Sequence, residues 1–260
     1  MILTDPSAHP VIAHRGDSAH VPENTLPSFD RALALGADAI EFDLRLTRDG
    51  TAVVLHDPTL DRTTSGTGAV RDLTLAEVRA VDAGARFTPD GGRTHPFAGQ
   101  GLTVPTFEEM LDRYRERPLL IEVKVPEVVA EARRLIVRHG ATRRVVLDST
   151  EDSAVVPFRG EFLTGASLRD NVALLPWSFL PGGPRALPYQ ALCITPWFNG
   201  IPVPITRLAA RARRHGVVTH VWTVNDPRLA ERLWRRGVNG IITDDPGTML
   251  ALRGRLGLGG

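Results

Sequence analysis

The sequence predicts an α/β fold, a TIM (β/α)8 barrel with a cap-like insertion after its third strand. Three observations lead there. Apolar strand, polar strand end and helix recur from residue 11 to about residue 250, the rhythm of a right-handed parallel sheet. The length, 260 residues, is that of one barrel domain of about 250 residues. Acids, histidines and fixed cations gather at the strand ends, where parallel α/β proteins carry their chemistry. A doubly wound sheet is the alternative, but it needs a Gly-rich phosphate loop after the first strand. Here H-R-G-D-S-A-H stands at 14–20, not G-x-G-x-x-G.

The elements follow in order. The first strand, 11–13, ends on His14-Arg15-Gly16. A helix over 26–35 tolerates Pro27 in its first turn and stops at Gly36. Residues 40–58 are the most informative stretch. Glu41 and Asp43, two apart on a strand, point to one side. Asp49-Gly50 turns the chain, and 52–55 climb to His56-Asp57. The turn is read as the passage from one barrel strand end to the next. From about 60 to 103 the pattern weakens into a long Gly-rich insertion with a short helix near 74–81, expected as a cap over the site. The rhythm resumes with a helix over 106–115, where Thr106 and Glu109 have capping-box spacing. A strand over 119–125 and a helix over 127–139 follow. Strands over 145–149, 162–166, 192–195, 217–224 and 240–244 are predicted, with helices over 205–215, from 226 and from 245. That makes nine strands for eight places, and the weak 162–166 is expected to drop out. The whole chain, 1–260, is expected to be one domain.

Composition excludes several classes. Lys and Arg number 31 against 30 acids, which argues against nucleic acid or an anionic surface as partner. The single cysteine, Cys193, rules out an internal disulfide and a multi-cysteine metal site, and its apolar neighbours suggest a core residue. No run is long enough to span a bilayer, and the N-terminus does not read as a signal peptide, so a cytoplasmic location is expected without stable membrane insertion.

The strand-end inventory is His14 and Arg15, Glu41 and Asp43, His56, Glu122 and Lys124, Trp222 and Asp244. Three inward carboxylates raise one another's pKa values in a low-dielectric mouth. A hard divalent cation, Mg²⁺ or Ca²⁺, resolves this with all-oxygen ligands. An ion-pair network with Arg15 and Lys124 is the rival resolution. Two histidines suit proton transfer near neutral pH. Fixed cations suit a phosphate ester. Lys124 is the only lysine in an otherwise arginine-based chain, which points to a need for a compact ammonium beside Glu122. His139 and His215 precede helix-ending glycines, and His220 is read as core.

Together these motifs resemble a family. H-R-G at 14–16, P-E-N-T at 22–25, E-F-D at 41–43, H-D at 56–57, I-E-V-K at 121–124, V-W-T-V-N at 221–225 and G-I-I-T-D-D-P at 240–246 are similar, in order, to the glycerophosphodiester phosphodiesterases. The resemblance covers residues 11–250 and implies one divalent cation, Mg²⁺ or Ca²⁺, held by Glu41, Asp43 and Glu122. It implies His14 and His56 as the acid–base pair, Arg15 and Lys124 as phosphate contacts, and Trp222 against the glycerol or leaving alcohol. The implied reaction is hydrolysis of a small glycerophosphodiester, such as glycerophosphocholine, to sn-glycerol 3-phosphate and an alcohol. Ser149-Thr150 departs from the Ser-Phe of many members, which bears on leaving-group fit. The alternatives are a lysophospholipase D or sphingomyelinase D-like barrel with the same machinery, and an inactive phosphate-ester-binding barrel.

Overall fold

The computed structural model describes residues 1–259. Its strands are β1 (Val11–His14), β2 (Ala39–Leu46), β3 (Ala52–Val54), β4 (Leu119–Val123), β5 (Val145–Asp148), β6 (Leu163–Thr164), β7 (Ala191–Ile194), β8 (Trp197–Phe198), β9 (Ile201–Pro202), β10 (Val218–Val221) and β11 (Gly240–Thr243). The helices of the barrel rhythm are α1 (Leu26–Leu35), α2 (Leu75–Arg79), α3 (Phe107–Arg113), α4 (Val129–Arg138), α5 (Asp152–Val155), α6 (Leu168–Leu174), α7 (Ile205–Arg213), α8 (Pro227–Arg235) and α9 (Pro246–Arg255). Eight strands run parallel in the order β6-β5-β4-β2-β1-β11-β10-β7. A bridge between Gly165 and Ala191 and the bond from Ala166 N to Ala191 O, 3.0 Å, join the two ends into a nearly closed barrel.

The local signals act as expected at the helix ends. Thr25 precedes α1 with Pro27 in the first turn, and Gly36 ends it at φ 100°, where a Cβ would be strained. Thr106 and Glu109 form a complete capping box on α3. Asp226 and Asp245 cap α8 and α9 through Arg228 N and Thr248 N.

Strand alternation sorts the side chains into two layers. Ile12, Ala39, Leu120, Val146, Ala191, Val218 and Ile242 pack with Leu3 in one cluster that fills the lumen. Ala13, Ile40, Phe42, Ile121 and Leu147 face outward under the helices, with Phe29, Phe107 and Met110. Two residues further along β1, β2, β4, β5, β7 and β11 stands a second inward ring. It contains His14, Glu41, Glu122, Asp148, Cys193 and Asp244. The core fixes the height at which this ring stands.

Two strand expectations are corrected. Residues Leu163–Thr164 are a barrel strand, paired in parallel with β5 through Val146↔Leu163 and Leu147↔Thr164. Of the nine expected strands, the one outside the parallel eight is β3, which pairs antiparallel with β2 from Leu44↔Val54 to Leu46↔Ala52. The Asp49-Gly50 turn is thus the tip of a hairpin that rises above the barrel. It is not a passage between neighbouring barrel strands. The apolar run 52–55 has the same composition either way, so only pairing distinguishes the two.

The insertion after β3 builds a small core of its own. Val53, Leu55, Leu60, Val70, Val78, Ala83 and Val104 cluster together. No helix among the described residues is long and apolar enough to cross a membrane.

Candidate active site

The ends of β1, β2 and β4 open on a pocket of about 380 Å³. Cross-strand register sets His14 beside Glu41, Asp43 beside Glu122, and Glu122 beside Asp148. His56 reaches the same place by the hairpin, because Leu55 N donates to Asp43 O at 3.1 Å. The chain departs β1 under strain. Arg15 has φ 57° and Asn24 φ 56°, the left-handed region costly to a residue with a Cβ. Gly16 has φ 92°, and a Cβ there would collide with Ser28 Oγ. Arg15 N donates to Glu41 O at 2.9 Å, and this bent exit turns the guanidinium into the site.

Glu41, Asp43 and Glu122 each offer a carboxylate oxygen, all within 4.8 Å of one another. Asp43 is fully buried. Its Oδ2 accepts from Asn24 Nδ2 at 2.9 Å, whereas its Oδ1 accepts no hydrogen bond. Lys124 Nζ stands 3.0 Å from Asp43 Oδ1, as an ion pair without hydrogen-bond alignment, and 2.6 Å from Glu122 Oε2. Arg15 Nε lies 3.2 Å from Asp43 Oδ2. Burial pushes the Asp43 carboxyl up, but Lys124 and Arg15 together hold it below the usual range. Glu41 has no cation in bonding contact. Burial, then the Asp43 charge, pushes it up to about 7. An all-oxygen donor set with an orphaned buried oxygen and a repelled carboxylate fits a hard divalent cation. Cation pairing and a metal-ready trio, posed above as rivals, coexist in the same cluster.

Each histidine leans on its own carboxylate. His14 Nδ1 is 2.6 Å from Asp244 Oδ1, with Nε2 4.0 Å from Glu41 Oε2. His56 Nδ1 is 2.6 Å from Asp57 Oδ1. Burial opposes the charge on His14, yet the Asp244 bond and the Glu41 field outweigh it and its pKa is raised. On His56 burial prevails and the pKa is lowered.

All eight residues given a role by the resemblance line this pocket or, for Asp43, stand beside it, and Asp244, the ninth of the strand-end inventory, backs His14. Sequence reasoning leaves others unassigned. Asp57 orients His56 and is held by Arg62 Nε at 2.6 Å, and Arg62 also pairs with Glu23 at 2.7 Å, which pairs in turn with Arg15 at 2.9 Å. Glu23 and Asp57 are motif residues, in P-E-N-T and H-D, and Arg62 lies at the start of the insertion, with no strand-end position to mark it. Asp148 lines the floor and sits raised well above the usual range by burial and then Glu122. The insertion does not roof the site as expected, for no residue of 60–103 lines the pocket. Arg62 braces Asp57 from that segment, and α6, α7 and the β8–β9 ribbon supply the outer wall. His220 is core, as read, with Nε2 2.9 Å from Leu3 O. Cys193 is buried but also lines the pocket.

Residues 14–248 match the Glycerophosphoryl diester phosphodiesterase family. The chain belongs to it. As a member it is an enzyme, by class a phosphoric diester hydrolase. It is 36% identical over 252 residues to a glycerophosphodiester phosphodiesterase of Caldanaerobacter subterraneus subsp. tengcongensis, covering 93% of this chain and 96% of that protein. A glycerophosphodiester phosphodiesterase from Agrobacterium tumefaciens superposes with TM-score 0.75 at 28% identity, over 94% of this chain and 99% of the other. An Oleispira antarctica phosphodiesterase in complex with the product sn-glycerol-3-phosphate gives TM-score 0.75 at 25% identity, over 94% of this chain and 96% of that one. The family's solved structures thus share the parallel barrel described above.

Proposed function

We propose that this phosphodiesterase hydrolyses small glycerophosphodiesters, such as glycerophosphocholine, to sn-glycerol 3-phosphate and an alcohol, with one divalent cation and the His14/His56 pair. The observation that carries the reading is the trio of Glu41, Asp43 and Glu122 standing between two histidines whose pKa values are pushed in opposite directions. Glu41, Asp43 and Glu122 would hold Mg²⁺ or Ca²⁺. Such an ion supplies positive charge against the phosphoryl oxygens as charge builds there.

The residues divide the remaining work. Asp57 accepts a hydrogen bond from Nδ1–H of His56, which leaves Nε2 as a free acceptor. With its lowered pKa His56 is neutral near pH 7 and removes the proton of the nucleophile, either a water or the substrate's own glycerol 2-hydroxyl, whose cyclic phosphate a water then opens. Asp244 holds Nδ1 of His14 in the same way, and the raised pKa keeps a proton on Nε2 for the departing alkoxide. Arg15 and Lys124 contact the single negative charge of the diester. Trp222 presents an apolar face to the glycerol or alcohol from the end of β10. The product bound in the Oleispira antarctica enzyme supports the glycerol phosphate half of the substrate.

The test is release of glycerol 3-phosphate and free alcohol from glycerophosphocholine by wild type, His14→Ala and His56→Ala. Each substitution is expected to lower kcat by ~10²–10⁴. Undiminished turnover in both variants would remove the acid–base assignment.

A further inference from the structure

Thirteen large hydrophobic side chains are exposed among the described residues, and nine of them fall between 168 and 201. Val172 is 60% exposed, Trp197 62% and Ile201 68%. They are not scattered. Leu168 and Val172 on α6, Leu175 just after it, and Phe198 and Ile201 on the ribbon line the outer wall of the active-site pocket. Phe179 continues the band under α7, where the Arg207 guanidinium lies 4.8 Å from its ring centroid. The ribbon is a two-stranded sheet of its own, turned by Asn199 and Gly200 at φ 48° and 77°. Asn-Gly is a favoured hairpin turn, and the ribbon it builds leaves Trp197 62% and Phe198 46% exposed.

We propose that this apolar rim docks the enzyme on an anionic phospholipid surface, with the pocket mouth facing the lipid. The charges select the partner. Residues 168–207 carry Arg169, Arg185 and Arg207 against one acid, Asp170, which is already paired with Arg159. The Arg169 side chain is 86% exposed, and its nearest carboxylate is Asp152 at 3.6 Å. An exposed pair of that length leaves the guanidinium free for other anions. Aromatic rings flanked by arginines match the layered chemistry of a headgroup region over acyl chains. Two copies of this chain meeting face to face would instead bring like charges together. The near-zero net charge of the whole chain conceals this local excess. Docking of this kind does not depend on which diester is cleaved.

The test is co-sedimentation of the full chain with large unilamellar vesicles of phosphatidylcholine containing phosphatidylglycerol, and with vesicles of phosphatidylcholine alone. Wild type is expected to bind the mixed vesicles, to bind less as salt rises, and to show blue-shifted tryptophan emission. Trp197→Ser/Phe179→Ser/Leu180→Ser, none of which lines the pocket, is expected to lose about tenfold or more of the partitioning while keeping turnover of a water-soluble diester. Arg169→Glu/Arg185→Glu should weaken binding to mixed vesicles alone, and it carries the test if the triple variant does not fold. Three results would overturn the proposal. They are no binding of wild type to mixed vesicles, undiminished binding by both folded variants, or a dimer in analytical ultracentrifugation that the triple variant abolishes.

Discussion

His14 Nδ1 and Asp244 Oδ1 lie 2.6 Å apart across the seam where the first and last barrel strands pair. Asp244 is itself fixed, accepting from Ser18 Oγ at 3.0 Å and Asn225 Nδ2 at 2.6 Å. The carboxylate sets the ring orientation and favours the imidazolium. Asp244→Asn keeps the shape and removes the charge. The alkaline limb of the kcat–pH profile, which reports loss of the His14 proton, is expected to move to lower pH. Stability follows the same sign. A histidine with a raised folded pKa contributes stability that is fully present below its ordinary value and is lost as pH rises through the raised one. Denaturant titrations should therefore show the Asn variant most destabilised on the acid side of neutrality.

Glu41 gives a second pH signature. With its pKa pushed up to about 7, the carboxyl holds a proton that a cation must displace. Mg²⁺ or Ca²⁺ affinity is expected to rise with pH through about 7. Calorimetry in two buffers of different ionisation enthalpy should detect the released proton. Glu41→Gln should weaken binding and flatten the pH dependence.

Lys124 bridges Asp43 and Glu122 at 3.0 and 2.6 Å. Lys124→Met removes a preorganised charge from the reacting phosphoryl group. Loss of one such donor costs about 3–4 kcal/mol, so kcat should fall by ~10²–10³. Lys124→Arg should not restore it, because a planar fork cannot take the place of a point charge between two carboxylates. Circular dichroism should match wild type in both, while Lys124→Met should melt lower because it leaves the buried Asp43 without one of the two cations that hold its charge.

Gly16 tests the backbone at the exit of β1. Its φ of 92° and the closeness of the Ser28 side chain and backbone leave no room for a methyl group. Gly16→Ala is expected to cost about 1–3 kcal/mol, read as a lowered melting temperature. It should also raise KM, since Arg15 is the adjoining residue.

Much of the fold and site is legible in the sequence. The i, i+2 spacing of Glu41 and Asp43, and of Glu122 and Lys124, identifies inward positions because strand parity needs no tertiary information. The caps of α1, α3, α8 and α9 are equally plain. Three features are not. The two-residue β6 is a strand only because both barrel edges close on it, and no periodicity exists in so short a run. The direction of β3 lies in its register with β2. The β8–β9 ribbon does carry a signal, Asn199-Gly200 between Trp197-Phe198 and Ile201-Pro202, but the flanking prolines obscure it. In the site, Glu23, Asp57 and Arg62 act through one another from three separate loops, and only the fold brings them into a chain of ion pairs ending on Arg15.

The central claim is that Glu41, Asp43 and Glu122 hold a cation on which phosphodiester hydrolysis depends. It is tested most directly by following glycerol 3-phosphate release from glycerophosphocholine before EDTA treatment, after it, and on return of Mg²⁺ or Ca²⁺. Wild type is predicted to lose activity with EDTA and recover it with one of these ions, and Asp43→Asn is predicted not to recover. Full activity in EDTA-treated protein shown by elemental analysis to be metal-free would contradict the claim.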